Sequence, residues 1–146
     1  TSNFTLHDLR RAIVQHVDHT AAAGRLRTRV LSFGYKHGLS PDADLVMDVR
    51  FLTNPYFVPS LRPLSGETEK IRSFVLNNDQ TCLFLQKYSE LLDILIPQYE
   101  KEGKSYLTIA IGCTGGQHRS VYVTDRLFNH FQSKGYQALS RHRELP

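Results

Sequence analysis

The nine residues GCTGGQHRS, 112–120, hold most of the reactive chemistry of this 146-residue chain. Cys113 and Arg119 enclose five residues, with Gly115 and Gly116 in the turn, His118 ahead of the arginine and Ser120 behind it. A thiol, an arginine and a glycine turn at this spacing are what a phosphate cradle with a thiolate nucleophile would use. The glycines let the backbone fold back so that successive N–H groups point inward as a nest. Arg119 supplies a two-pronged donor to phosphate oxygens, and Thr114 or Ser120 a hydroxyl. An apolar run precedes the loop and a helix-like pattern follows it, so the orphan N–H groups of a first helical turn would also face the anion. A plain glycine turn with a capping role is the competing reading. Loop, arginine and hydroxyls together favour an anion site.

Catalysis is a separate question. The spacing Cys-x2-Gly-x2-Arg-Ser matches the signature of cysteine-dependent phosphatases, in which a thiolate of low pKa attacks phosphorus while the loop amides and arginine hold the equatorial oxygens. Gly112 stands where those enzymes usually carry histidine. No loop identifiable from sequence supplies the general acid, for which Asp48 is the candidate. A phosphatase built on Cys113, Arg119 and Asp48 is therefore the alternative. The preferred reading assigns no catalytic residue.

The elements that must position this loop follow from periodicity. Leu6, Leu9, Ile13 and Val17 recur at helical spacing in the first segment, with Thr5 and Asp8 in a capping-box arrangement and Gly24 as a stop. RLRTRVLSF reads as a strand leading into GYKHGLSPDAD, and DLVMDVRF as a second, shorter one. From Leu52 to Thr68 the pattern gives way to NPYFVPSLRPLSGET, a long ordered loop of the kind that is often functional. Helical periodicity resumes over Glu67–Leu76 and over Thr81–Tyr99, the latter closed by Pro97 and Gly103. SYLTIAIG is the clearest strand, nearly continuous in apolar residues as in a buried parallel sheet. SVYVTDRLFNHFQSKG reads as a helix ending at Gly135, and YQALSRHREL as a short strand or tail. The order predicts a single α/β domain, a mostly parallel sheet flanked by helices, with the ligand loop at a strand–helix junction.

Composition is that of an ordinary globular domain: 40% hydrophobic, 22% charged, no run long enough to span a membrane. The N-terminus has no apolar signal core, so the expected address is cytoplasmic. The chain starts at Thr1, as a processed product or a piece of something longer would. Cys82 and Cys113 lack partners at metal-ligand spacing, so no metal is expected and both thiols are expected free. Cys82, within a helical pattern, reads as core. A formal charge of +4 is compatible with phosphorylated metabolites or nucleic acid.

In open α/β sheets ligands bind beyond the carboxyl ends of strands. If the strands carrying Ser32–Gly34, Asp48–Arg50 and Ile111–Gly112 lie side by side, their loops converge. Arg50, Arg62 and Arg119 then become anion donors, and Asp48 an acceptor for hydroxyl or amine groups. Such a pocket fits a phosphorylated ligand bearing an amine or hydroxyl. The blander readings are an Asp48–Arg50 ion pair, a loop role for His37, which otherwise extends the pocket, turn initiation at Asn54–Pro55, and packing roles for Tyr56 and Phe57. Asp42 and Asp44 cluster with Asp48 around the second strand. Lys134, Arg141, His142 and Arg143 are basic residues near helix ends and the tail; dipole complementarity explains several, and an RNA-binding face is the sharper reading.

LSFGYKHGLSPDADLVMDVRFLTNPY, LRPLSG, KSYLTIAIGCTGGQHRSVYV and SRHREL, collinear from about Arg25 to the end, resemble the C-terminal domain of the RapZ family of bacterial RNase adapter proteins, also called the YvcJ family. The resemblance implies residues 1–24 as an N-terminal linker helix and 25–146 as a ligand- and RNA-binding domain. It also implies a parent with a preceding P-loop domain that binds ATP or GTP. No G-x4-G-K-[ST] occurs here, so nucleotide hydrolysis is not assigned to this portion, nor any cofactor. What the family implies further is sensing of glucosamine-6-phosphate, delivery of a small regulatory RNA to a ribonuclease, and homo-oligomers. Matching positions put the metabolite, or inorganic phosphate or sulfate in its place, on Asp48, Arg50, Cys113, Thr114, Gly115, His118 and Arg119. The tail after Arg143 is short and carries Glu144, where RNA-binding relatives can carry a more basic extension.

Overall fold

A computed structural model of the chain describes residues 26–146. The expected linker helix over 1–24 lies outside the described residues. The elements run β1 (Arg27–Gly34), β2 (Leu45–Asp48), α1 (Glu69–Leu76), α2 (Asp79–Lys101), β3 (Tyr106–Cys113), α3 (Arg119–Ser133) and β4 (Gln137–His142). Two single 3-10 turns, Tyr35–His37 and Pro55–Phe57, follow β1 and β2. The four strands lie in the order β2-β3-β1-β4, and all three pairings are parallel.

β3 is central because its residues tolerate burial throughout. Leu107, Ile109, Ala110 and Ile111 have no exposed surface, and a parallel strand of this kind must be apolar on both faces. Leu107, Ile109, Ile111 and Val30 belong to the core that takes in Ile71 and Val75 of α1, Leu92 and Ile96 of α2, and Leu127 and Phe131 of α3. The two edge strands are less buried, as their sequences foretell. β2 keeps only four residues, and Leu139 of β4 is 72% exposed.

Three readings of the sequence need correction. Pro97 does not close α2, which runs on to Lys101. Proline removes one N–H and leaves one carbonyl unpaired. Ile96, 2% exposed, keeps the helix packed across the proline, and Gly103 at φ +86° ends it. Cys82 is exposed, not core, its Sγ directed to the Leu76 carbonyl at 3.7 Å. Asp44 does not join Asp48. It sits at the amino end of β2, accepting from the Thr108 N–H at 2.8 Å and pairing with Lys104 at 2.9 Å.

What positions the site is the register. Gly34 pairs with Cys113, Asp48 with Gly112, and Ser32 with His142, so the carboxyl ends of all four strands finish on one edge. The segments 35–44, 49–68, 114–118 and 143–146 leave from that edge. Among the described residues no helix is long and apolar enough to cross a membrane.

Candidate functional site

The 114–118 loop is built against the end of β1. Gly34 has ordinary extended dihedrals, yet a Cβ there would sit 2.5 Å from the Gly115 carbonyl carbon, so only glycine lets the two backbones approach. Gly116 adopts φ +77°, a conformation that costs other residues roughly 1–2 kcal/mol. That turn aims its N–H at Cys113 Sγ, 3.3 Å away. On its other side Cys113 Sγ meets Ser120 Oγ at 3.1 Å, and the cysteine is 2% exposed. The thiol thus forms the floor under the loop, held by one backbone amide and one hydroxyl.

Arg119 opens α3 and is 4% exposed. One guanidinium nitrogen donates to the carbonyls of Arg50 (2.6 Å) and Leu52 (3.1 Å), which pins the chain leaving β2. The other reaches Thr114 Oγ1 at 3.5 Å. Its Nε is buried and has no partner. Burial lowers the arginine's pKa, an effect that neighbouring Asp48 opposes, and arginine stays protonated at any ordinary pH. His118, the N-cap of α3, makes no side-chain cap, so the first N–H groups of the helix are not spent on it.

Above the loop lies a cavity of about 510 Å³. Cys113, Thr114, Gly115, His118 and Arg119 form one side, Arg62, Asn54, Tyr56 and Phe57 another, with Lys36 and Gln117 completing the rim. Other depressions among the described residues include a cleft of about 450 Å³ between α2 and α3, lined by Cys82, Asp93, Arg126 and His130 among others, and an open one of about 470 Å³ beside Ser73, Leu76 and Asn77. The loop cavity is the candidate site, because the four strand ends, the glycine turn and the buried unpartnered arginine nitrogen converge there.

The remaining sequence candidates fall around this cavity in distinct ways. Asp48 and Arg50 stand beside it rather than in its wall. Arg50 grips Asp48 through Nε and a terminal nitrogen at 2.7–3.0 Å and lies over the Tyr35 ring at 4.0 Å. Hydrogen bonds from Arg50 hold the Asp48 carboxyl below its usual range, so it carries no proton to donate at neutral pH. Arg62 does reach the wall, stacked over Tyr56 at 4.5 Å with its Nε on the Tyr56 carbonyl at 2.8 Å. His118 Nε2 donates to the Arg62 carbonyl at 3.0 Å; burial lowers its pKa, partly offset by the carbonyls of Arg62 and Leu64, and it acts as a neutral strut. Gly116 and Ser120 lie behind the cavity, and His37 is exposed outside it.

The basic set is divided. Lys134 caps α3 near the amino end of β4, 4.0 Å from Asp93, whereas Arg141 to Arg143 lie at the other end of that strand. His142 is bound on both ring nitrogens, to Ser32 Oγ at 2.8 Å and Asp125 at 2.9 Å. Arg143 donates to the Gly38 carbonyl at 2.7 Å and to Glu144 at 2.8 Å. Arg141 is exposed.

Glu144 turns out to brace the site from behind, accepting the Gly34 N–H at 2.8 Å. Burial alone would raise its pKa, but Arg143 and that N–H outweigh it and hold the carboxyl below the usual value of 4.5. A depressed folded-state pKa means stabilisation that is complete above 4.5 and lost as pH falls through the lower folded value. Glu144→Gln is therefore expected to cost about 1–2 kcal/mol at neutral pH. Urea melts should show the gap to wild type closing in acid below the carboxylate range.

Lys36, Asn54, Tyr56, Phe57 and Gln117 were not among the residues singled out by type and spacing. Tyr56 and Phe57 read as packing residues in sequence, yet are 52% and 75% exposed. The available signal was their place in the proline-flanked loop; Lys36 and Gln117 sit inside GYKHG and GCTGGQHRS themselves.

A family model described as the RapZ C-terminal domain matches residues 26–146. A nucleotide-binding protein of Desulforapulum autotrophicum is 47% identical over 99% of this chain and 50% of its own length. One from Geotalea uraniireducens is 44% identical, again over 99% of the chain and 50% of the relative. One from Acidobacterium capsulatum is 46% identical over 100% of the chain and 48% of its length. The chain thus spans about half the length of the curated relatives it matches.

Proposed function

The chain belongs to the RapZ C-terminal domain family, and from that premise we propose a regulatory domain without catalytic activity of its own. It binds a phosphorylated amino sugar of the glucosamine-6-phosphate kind at the 113–119 loop. In the parent protein it hands a small regulatory RNA to a ribonuclease, and it assembles into homo-oligomers. The observation that carries the metabolite half is the guanidinium of Arg119. A buried charged donor with an unpartnered Nε, in the wall of a cavity at an uncapped helix N-terminus, calls for an anion. The RNA half is supported by family membership and the net charge of +4. Arg141 is its most available residue, since His142 and Arg143 are already engaged.

The second reading, a cysteine-dependent phosphatase, is favoured by one detail: Ser120 Oγ and the Gly116 N–H both meet Cys113 Sγ, as they would to stabilise a thiolate. Against it stands Asp48, unprotonated and clamped by Arg50, which leaves no acid for the departing alkoxide. Calorimetric titration with glucosamine 6-phosphate and glucose 6-phosphate is expected to give binding, while a phosphomonoesterase assay gives no turnover that Cys113→Ser removes. Cys113-dependent hydrolysis would replace the sensor reading with the enzyme. RNA affinity should fall as salt rises, through counterion release; failure to bind a structured small RNA even at low salt would remove the adapter half.

A further inference from the structure

Outside the cavity wall, side chains from three separate segments gather at one point. Glu67 precedes α1, Asp125 lies within α3, and His142 ends β4. One ligand atom of each, two carboxylate oxygens and a ring nitrogen, lies within 4.8 Å of the other two. His142 and Asp125 are the fixed pair: Nε2 and Oδ1 stand 2.9 Å apart, and the side chains are only 12% and 20% exposed. Both are held from behind. The fully buried Ser32 Oγ meets the other ring nitrogen of His142 at 2.8 Å, and Arg72 donates to the other carboxylate oxygen of Asp125 at 3.3 Å. Glu67 is the free member. It is exposed, and among the described residues its carboxylate takes part in no hydrogen bond or ion pair.

We infer that Glu67, Asp125 and His142 form a binding site for a divalent ion of the first transition row, such as Zn²⁺. Imidazole with two carboxylates suits such an ion, and the imidazole disfavours Mg²⁺ and Ca²⁺. Ligand atoms at about 2.0–2.2 Å from the ion stand roughly 3 Å from one another. The His142–Asp125 pair already has that spacing, and rotation of the exposed Glu67 side chain closes the rest. Ser32 does what the outer partner of a metal-bound histidine does: it accepts from Nδ1–H and leaves the Nε2 lone pair to face the ion. Two carboxylates against the one guanidinium of Arg72 make the spot negative in a chain of formal charge +4. Without the ion, Nε2–H donates to Asp125 and Glu67 stays in solvent.

The three ligands also meet behind the anion loop. Gly66, next to Glu67, donates its N–H to the Gln117 carbonyl at 2.7 Å. Glu144, two residues past His142, accepts the Gly34 N–H, and Asp125 shares α3 with Arg119. The ion thus clasps the supports of the loop without entering its cavity.

The test is a calorimetric titration of the chelator-treated chain with Zn²⁺. Cys82→Ser is built into every protein, so that the exposed thiol offers no soft ligand. Saturable one-to-one binding is expected, with Mg²⁺ unable to compete at the same concentration. Losing even an outer partner costs metal sites about 10–100-fold, so Glu67→Gln is expected to weaken Zn²⁺ at least ~tenfold. Its melting temperature without metal should match the parent's, and added Zn²⁺ should raise the parent's far more. Histidine ring NMR identifies the ligand without a mutation: Zn²⁺ should shift His142 and spare His130, which binds Asp93 elsewhere. Unchanged affinity in Glu67→Gln, shifts at other histidines instead, equal competition by Mg²⁺, or no binding by the parent would each overturn the site.

Discussion

Arg119→Ala is expected to lose phosphate-ester binding altogether and to destabilise the domain by about 2–4 kcal/mol. Two effects combine in one side chain. The guanidinium is the buried charge of the anion site, with Nε unpartnered. It is also the only side chain donating to the carbonyls of Arg50 and Leu52 in the hydrogen bonds described, so truncation strands two acceptors away from water. Arg119→Lys separates the two roles. Lysine keeps a positive charge but not the planar fork, so it should recover part of the stability and little of the affinity. Denaturant melts and calorimetry on the same three proteins check this. An Arg119→Ala protein as stable as wild type would show that the β2 exit does not depend on this clamp.

Gly116→Ala should be nearly as damaging, from one methyl group. The residue holds φ +77°, worth roughly 1–2 kcal/mol against any side chain. Its Cβ would also lie 2.5 Å from the Gly34 amide nitrogen and 2.7 Å from the Phe33 carbonyl carbon, backbone atoms that have no rotamer by which to move aside. Overpacking of this kind adds about 1–3 kcal/mol, for a total of roughly 2–5 kcal/mol. Because the Gly116 N–H rests on Cys113 Sγ, the displaced loop should also uncover the thiol. Thiol-reagent kinetics are therefore expected to speed up markedly in the variant, and unchanged kinetics would mean that the loop absorbs the methyl without leaving Cys113.

Much of the frame was legible in residue pattern because local and tertiary demands coincide there. SYLTIAIG is continuously apolar, and its observed strand, Tyr106–Cys113, is shifted by one residue only. The turn at 113–119 announces itself through glycines and an arginine placed just before a helix. The sheet is fully parallel where a mostly parallel one was expected. Legibility ended where exposure is decided by distant neighbours. Tyr56 and Phe57 look like core by composition, but Pro55 takes the buried position of that turn and leaves both rings facing the cavity. Cys82 sits among apolar helix residues, yet one position away Thr81 is fully buried and the thiol faces outward. Asp44 and Asp48 are four residues apart, roughly 13 Å along a strand, so they stand at opposite ends of the short β2.

The close approach of Gly34 to Gly115 gives β1 a mechanical part as well as a packing one. At its far end, the Arg27 N–H is fastened to the Ser105 carbonyl at 3.0 Å, just after the chain enters at Leu26. Eight extended residues, roughly 26 Å of hydrogen-bonded strand, separate that entry point from the loop. β1 thus fixes the distance between Leu26 and the ligand loop. Its last residue, lacking a side chain, meets the Gly115 backbone directly, so the seat of the ligand loop is set by the backbone of the strand itself.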